Sequence, residues 1–503
     1  MGLITAPSRR YISLCVALPI LLLALGVYVD EMRGKNLWFD EAIEFRVAHR
    51  PLQSVVAADR AMTHDPPLYS LTLHLWMGLG LGDFYLRMLS VYFGLLTVAI
   101  VLALGRRMFS PAVGWLSALM VAVTSRAVFY GQEVNQYALV MLLAALCPLL
   151  LERFLRRPTL GRLMLFLGAG IAAVLTHYEL ILYLMALVGV GTAYLLWRGW
   201  RGERRPLMIW FAGLCLIASV GMVLLWFYAL PQKARLPEDF APVRYGGPIS
   251  ILNELRLWVF QSASVFRFLF WGWQSSLSPR EALTDVLLVV GSIVGLLRPS
   301  SRRPVLYLVG GLAISFVASG FGFFVYAHRY VWYAFPLSVV LVAGGLLIPT
   351  WAQWSLSRIL ATGSVLILLL GLLAADLPAL SGVPFQEREQ FGEIVHYVEA
   401  RRQAGDAIYV YYGAEPAFDV YATRDLASLA VVEKWGRGTP ASQQQADMWS
   451  VLGGRARGWL LLSHIYEDED KALLSVLNTR CRQLDAVTAV SAMGYLFDCA
   501  SSP

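Results

Sequence analysis

Apolar residues in this chain fall in long unbroken blocks separated by short polar or arginine-rich breaks. Such blocks have the length scale of a bilayer rather than the 3.6- or 2-residue period of a half-buried helix or strand. Windows of about 20 apolar residues predict helices at Tyr11–Val29, Phe84–Leu104, Ala112–Val128, Ala138–Phe154, Leu163–Thr176, Leu180–Trp197 and Leu207–Tyr228. Four more follow at Leu283–Leu297, Val305–Ser319, Val331–Ile348 and Ile359–Ala375. The pattern predicts about eleven membrane helices. Tyr11–Val29 follows Arg9-Arg10, exceeds the ~7–15 residues of a signal-peptide core and lacks a small-residue cleavage site, so it reads as a retained helix. Leu68–Leu81 is too short for a span and reads as lying along the interface.

The period changes near Gly382. Gln386–Arg402 has the spacing of an amphipathic helix, Ala407–Tyr412 and Trp459–Ser463 read as buried strands, and charged helical stretches lie between them. The expected organisation is a membrane domain over 1–381, with outer loops near 30–67 and 229–282, followed by a small α/β domain over 382–503.

Composition removes the soluble alternative. Of 503 residues, 58% are hydrophobic and 15% charged, against about half and a quarter in a soluble protein; the mean hydropathy is +0.59. The net charge of +7 does not indicate nucleic acid, because the basic residues sit in short clusters between apolar blocks, where they orient the chain. With the N-terminus inside, the inner loops hold Arg106-Arg107, then Arg153, Arg156, Arg157 and Arg162, then Arg198, Arg201, Arg204 and Arg205, then Arg298, Arg302 and Arg303. Short arginine-rich loops belong on the cytoplasmic side. The opposing turns carry only Arg126, His177 and His328-Arg329. An odd number of spans then places the tail outside, at the plasma (inner) membrane. Cys15, Cys147 and Cys215 lie in spans and read as small buried hydrophobes. Cys481 and Cys499 fall in the tail, where an oxidising exterior permits a disulfide.

The chain has no phosphate-cradling glycine loop, no HExxH, no Gly-x-Ser-x-Gly, no internal repeat and no matched pair of broken helices. Candidate chemistry gathers instead at the outer ends of the helices. Asp40-Glu41 follow Leu37-Trp38-Phe39; Thr63-His64-Asp65-Pro66-Pro67-Leu68-Tyr69 re-enter the membrane on two stiffening prolines; Gln132-Glu133 and Tyr137 open a span from outside. His177-Tyr178-Glu179 and His328-Arg329-Tyr330 stand at the ends of two others. A carboxylate suits a general base, worth about 10²–10⁴-fold, and arginine or histidine suits the charge growing on a departing phosphate. For each residue a structural role competes: Asp40 as a helix cap, Glu41 as an ion-pair member, His64 as a loop contact, Arg126 and Arg329 as interfacial anchors, Gln132-Glu133 as a brace. His177 with Glu179 offers two ligands for a divalent cation.

The order of these groups resembles the type C glycosyltransferases, and within them the protein O-mannosyltransferase and lipid A aminoarabinose transferase branch, glycosyltransferase family 39. The likeness runs over roughly the first 350 residues; the tail matches only in being a small domain in the same place. It implies a polyprenyl-phosphate sugar donor and a lipid, glycan or protein acceptor outside the cytoplasm, with no required cofactor. Asp40 then corresponds to the family's loop aspartate and Glu41 to its partner, as the catalytic pair. His64, Asp65, His328, Arg329 and Tyr330 correspond to the donor-phosphate region, with Gln132, Glu133 and Tyr137 in support. The chain departs from the pattern twice. Asp65 stands before the prolines where many relatives have histidine or lysine, and Asn135-Gln136 precede the tyrosine where many have arginine.

Two other classes compete, a secondary transporter or lipid flippase and a scaffold protein. The carboxylates lie in an outer loop rather than near the bilayer midplane, against the first; a scaffold needs no polar clusters in its membrane part. The second outer segment mixes Lys233, Arg235, Arg244, Arg256 and Arg267 with Trp258, Phe260, Phe266, Phe268, Phe270, Trp271 and Trp273, a composition suited to an interfacial helix, mobile or static.

Overall fold

The computed structural model describes residues 9–30, 32, 34–63, 65–233, 269–270, 279–320, 326, 328–347, 363–372 and 388–500. The chain divides into two compact units, one comprising Met1–Asp30, Asp59–Thr72 and Arg87–Phe385, the other Glu31–Ala58, Leu73–Leu86 and Gln386–Pro503. His64, and the second outer segment apart from its ends and residues 269–270, lie outside the described residues.

The helices, in order, are α1 (Arg9–Val29), α2 (Phe39–Ala48), α3 (Leu52–Met62), α4 (Leu68–Met77), α5 (Asp83–Met108), α6 (Pro111–Val123), α7 (Ser125–Gly131), α8 (Tyr137–Arg156), α9 (Leu160–Val174), α10 (Glu179–Trp200) and α11 (Arg204–Leu224). A π turn (Leu225–Ala229) leads to α12 (Leu230–Lys233), and α13 (Pro279–Leu297), α14 (Arg302–Gly320) and α15 (Phe335–Leu346) follow, with Gly363–Leu372 as α16. All eleven apolar runs are helical where described, but not all are of spanning length. Among the described residues five helices are long and apolar enough to cross a membrane, and the α6–α7 and α13–α14 pairs pass together although bent by 63° and 113°. The α6–α7 bend falls at Thr124, whose extended backbone stops α6 while its hydroxyl donates to Met120 O at 2.6 Å. At its other end α6 starts on Ser110, which accepts the Val113 N–H, with Pro111 at the first helical position.

Small residues let the helical unit close. A Cβ on Gly345 of α15 would stand 1.9 Å from the Gly291 carbonyl oxygen of α13, and one on Gly295 would stand 2.2 Å from Leu341 O. These two backbones therefore touch. Arginines collect at the helix ends predicted to face inward and satisfy carbonyls left without partners there. Arg198 donates to Leu155 O at 2.9 Å, Arg298 to Gly344 O at 2.7 Å and Arg156 to Arg107 O at 3.1 Å. Arg303 pairs with the buried Glu152 at 2.9 Å, which also accepts Tyr307 OH at 3.0 Å.

The second unit contains a five-stranded sheet in the order β2-β1-β3-β5-β4, from β1 (Ala407–Val410), β2 (Ala430–Val432), β3 (Gly458–Ser463), β4 (Arg482–Ala489) and β5 (Ala492–Asp498). β2, β1 and β3 run parallel, and β5 and β4 antiparallel to their neighbours. Alternate residues divide between two cores. Ile408, Val410, Trp459 and Leu461 pack with α17 (Phe391–Arg401) and α18 (Glu415–Tyr421); Tyr409, Leu460 and Leu462 pack with α20 (Ala441–Leu452) and α21 (Glu469–Arg480). The short α19 (Arg424–Leu429) leads into β2. Burial on both faces is why the central strands read as continuous apolar runs. Cys481 and Cys499 are disulfide-bonded across the base of the β4–β5 hairpin. Cys147 is buried, as expected of a span, whereas Cys215 is exposed to its surroundings.

Candidate functional site

Asp40 sits in the first turn of α2, half-buried, where a carboxylate suits the positive end of the helix. The chain leading to it is pinned amide by amide. Asn36 N–H donates to Gln390 Oε1 at 3.1 Å, Leu37 N–H to Tyr421 OH at 2.6 Å, Trp38 N–H to Glu41 Oε2 at 3.3 Å and Phe39 N–H to Glu389 Oε2 at 3.3 Å. Tyr421 in turn donates to Asp83 at 2.7 Å. Glu41 is fully buried, and its other oxygen pairs with Arg388 Nη1 at 3.0 Å. The adjacent carboxylates thus differ in circumstance: Glu41 is committed to an ion pair and a cap, while Asp40 stands on the segment they fix.

Glu389 extends the arrangement. Its Oε1 lies 2.6 Å from His464 Nδ1, His464 Nε2 lies 3.1 Å from Tyr466 OH, and the His464 ring stacks on Phe39 at 4.0 Å and 8°. Burial and then the Asp40 charge push the Tyr466 hydroxyl upward. Arg388, Glu389 and His464 carry no local signal in the sequence; they come from about 350 residues or more beyond Asp40, so only folding brings them together.

The other predicted residues belong to the helical unit. Asp65 Oδ2 accepts Gln136 Nε2 at 2.5 Å, and Oδ1 lies 3.0 Å from His177 Nε2. The two departures from the family pattern therefore meet: the aspartate before the prolines bonds the glutamine before Tyr137. The Glu179 N–H donates to His177 Nδ1 at 3.2 Å, which leaves the ring proton on Nε2, facing Asp65. Burial, helped by the Arg329 charge, lowers the His177 pKa to about 3, so the ring is neutral. Glu179 is buried at the start of α10, 3.6 Å from His177 Nδ1, and among the described residues neither carboxylate oxygen has a hydrogen-bond partner.

Asp65 and Glu179 flank opposite nitrogens of the His177 ring, so they share no point with it at which an ion would sit. No group of three His, Cys, Asp or Glu able to hold a metal occurs among the described residues. Arg329 lies over Tyr330, its guanidinium carbon 5.3 Å from the ring centroid and Nη2 3.4 Å from the hydroxyl. Tyr330 stands 6.4 Å from His177. His328 opens the same 3₁₀ turn (His328–Ala334), and its side chain, like His64, is outside the described set.

Gln132 donates to Tyr28 O at 3.1 Å and Asp30 O at 2.9 Å, tying the end of α1 to α7 as a brace. Glu133 is buried and accepts the Ser90 hydroxyl on its backbone oxygen at 2.5 Å. Tyr137 is buried against Tyr130 at 4.6 Å. Arg126, expected at the interface, is instead buried over the rings of Phe129 and Tyr130, with Nη2 2.9 Å from the Tyr130 hydroxyl. Its aromatic neighbours on the same short helix shield the charge. Sequence reading also missed Asp59, buried and accepting Ser70 at 2.6 Å and the Tyr228 hydroxyl. Burial raises its pKa to about 6 against those two hydrogen bonds.

A model of the dolichyl-phosphate-mannose-protein mannosyltransferase family matches residues 64–226, under half of the chain. No curated protein matches by sequence. The structure is similar to that of ArnT from Cupriavidus metallidurans bound to undecaprenyl phosphate, with a TM-score of 0.60 and 14% identity over 97% of this chain and 98% of that one. The chain has the type C glycosyltransferase fold. The same architecture extends to the archaeal oligosaccharyltransferase AglB from Archaeoglobus fulgidus, in complex with an inhibitory peptide and a dolichol-phosphate, at a TM-score of 0.54 and 10% identity over 97% of this chain and 74% of that one. Within the fold, the ten residues of α2 and the pinned segment before it hold Asp40, and the α9–α10 and α14–α15 connections hold His177 and Arg329.

Proposed function

We propose that this protein is a membrane glycosyltransferase that moves a sugar from a polyprenyl-phosphate donor to a lipid, glycan or protein acceptor outside the cytoplasm. The observation that carries the reading is the fold shared over nearly the whole chain with a protein whose structure holds undecaprenyl phosphate. Asp40 is the base that takes the acceptor proton as its oxygen attacks the anomeric carbon, and a single displacement inverts that centre. Glu41 positions Asp40 through the cap and the Arg388 pair rather than exchanging protons itself. Arg329 stabilises the departing phosphate, with the Tyr330 hydroxyl beside it, His328 preceding it in the chain and His64 assigned to the same region by the family resemblance. Asp65 contributes by holding Gln136 and the neutral His177; an anion is not itself a phosphate ligand. No cofactor is required for this chemistry. A divalent cation at His177 and Glu179 would lie between Nδ1 and the carboxylate and would have to displace the Glu179 N–H from Nδ1.

The arginine-rich inner loops support a cytoplasmic N-terminus at the plasma (inner) membrane, and the disulfide supports an extracytoplasmic tail. The test is mass spectrometry of surface glycans, lipids and proteins from cells with and without the gene. The expected result is one sugar missing without the gene, restored by the wild type and not by Asp40→Asn. Restoration by Asp40→Asn would remove Asp40 from the mechanism, and an unchanged surface would remove the function.

A further inference from the structure

The parallel half of the sheet has a topological switch point at its centre. From β1 the chain passes through α18 and α19 to β2 on one side, then returns through α20 to β3 on the other. In open α/β sheets the crevice beyond the carboxyl ends of two such strands is where ligands bind. Here those ends carry Tyr411, Tyr412 and Gly413 from β1 and Ser463 to Tyr466 from β3. The Tyr412 and Tyr466 rings are parallel to within 4°, with centroids 5.7 Å apart, and both are partly exposed.

Around them, Glu469 accepts the hydroxyls of Tyr411 and Tyr412, the latter at 2.9 Å, and His464 joins Tyr466 to Glu389. Glu433, at the end of β2, is 5% exposed, and its Oε2 accepts Tyr412 N–H at 3.4 Å. His464 and Glu467 hold left-handed backbone, φ 49° and 51°, in the loop that builds this edge. Such conformations are strained for non-glycine residues and cluster at functional sites. Asp40 belongs to the same unit: Phe39 stacks on His464, and the Asp40 charge reaches the Tyr466 hydroxyl.

We propose that this crevice is the acceptor subsite and that it takes a saccharide, a sugar ring lying on the Tyr412–Tyr466 pair with hydroxyls directed to Glu469 and Glu389. The inference rests on the glycosyltransferase reading and narrows its acceptor to a glycan or a glycolipid headgroup. Flat aromatic faces match the C–H face of a sugar ring, and carboxylates set beside them accept from its hydroxyls. A cationic ligand fits less well. Glu469 and Glu389 already accept hydrogen bonds, and Arg437 lies over the Tyr466 ring at 5.0 Å.

The experiment uses full-length fluorescent protein in phospholipid nanodiscs, applied to an array of glycans and glycolipid headgroups printed beside peptides. Wild type, Asp40→Asn and Tyr412→Phe, which keeps the ring, are expected to be captured by glycan features. Tyr412→Ala and Glu469→Gln are expected to bind them at least about tenfold more weakly. Because binding is read apart from transfer, active Asp40→Asn would end the mechanism without touching the subsite. Capture by peptides alone, no glycan capture at all, or equal capture of Tyr412→Ala and wild type would overturn the subsite without touching the sugar-transfer function.

Discussion

At the scale of the residue, neighbouring carboxylates separate by what surrounds them. Asp40→Asn keeps size and removes proton acceptance, so transfer should fall about 10²–10⁴-fold with the thermal transition unchanged; a matching loss of stability would reassign Asp40 to structure. Arg388→Ala instead strands the Glu41 carboxylate in the interior. Breaking a buried pair from one side costs about 3–5 kcal/mol, so the tail of that variant should unfold at markedly lower denaturant. Glu433 provides a pH signature. Burial is the main cause raising its pKa from 4.5 to about 7, so the folded state holds the proton more tightly than the unfolded one. The stability this confers is complete below about pH 4.5 and is lost as pH rises to about 7. Glu433→Gln should flatten that part of the stability profile measured against wild type. The Asp40-Glu41 pair stands out in the sequence because a paired acid beside an apolar block is unusual. Arg388, Glu389 and His464 do not, since long-range partners leave no mark on local periodicity, and the Glu41 ion pair is seen only once folding brings Arg388 against it.

At the scale of the element, the membrane helices are legible because a span needs a run of apolar residues whatever its neighbours are. The Thr124 bend and the touching of α13 and α15 escape that reading, as both depend on backbone geometry. Gly345→Ala places a methyl against the Gly291 carbonyl, where no flexible side chain can yield. Overpacking of this kind costs about 1–3 kcal/mol or more, and the variant should show a lowered thermal midpoint in detergent. In the tail, α17 and the buried strands β1 and β3 stand out by pattern. β4 does not, because it is an exposed edge strand of mixed polarity, and β2 is three residues long. The Cys481–Cys499 bridge closes the hairpin over a separation of 18 residues, a loop whose closure is worth about 3 kcal/mol. Cys481→Ser should lower the unfolding free energy of the tail by about that amount, and an unchanged value would mean the β4–β5 ladder alone holds the edge.

For the whole molecule, the order and sidedness of weak motifs point to the type C glycosyltransferase fold, and the structure has that fold at 14% identity to one solved example. What the motifs could not convey is that Asp65 and Gln136, each unlike the family pattern, answer one another. Sidedness predicts that single cysteines at the exposed Ala57 and Ser450 are labelled on intact cells by an impermeant thiol reagent, while one at the exposed Thr159, in an inner loop, is protected; the reverse pattern would put the tail where no flipped donor is available. The most direct measurement follows the sugar itself. Purified protein in nanodiscs is given polyprenyl-phosphate sugars, labelled in the sugar, together with extracted outer-surface glycans, lipids and proteins. Label is expected to pass to a glycan or glycolipid, free polyprenyl phosphate to appear in equal amount, and Asp40→Asn to do neither. Label that stays on the polyprenyl phosphate with wild-type protein, or that moves only from a nucleotide sugar, would contradict it.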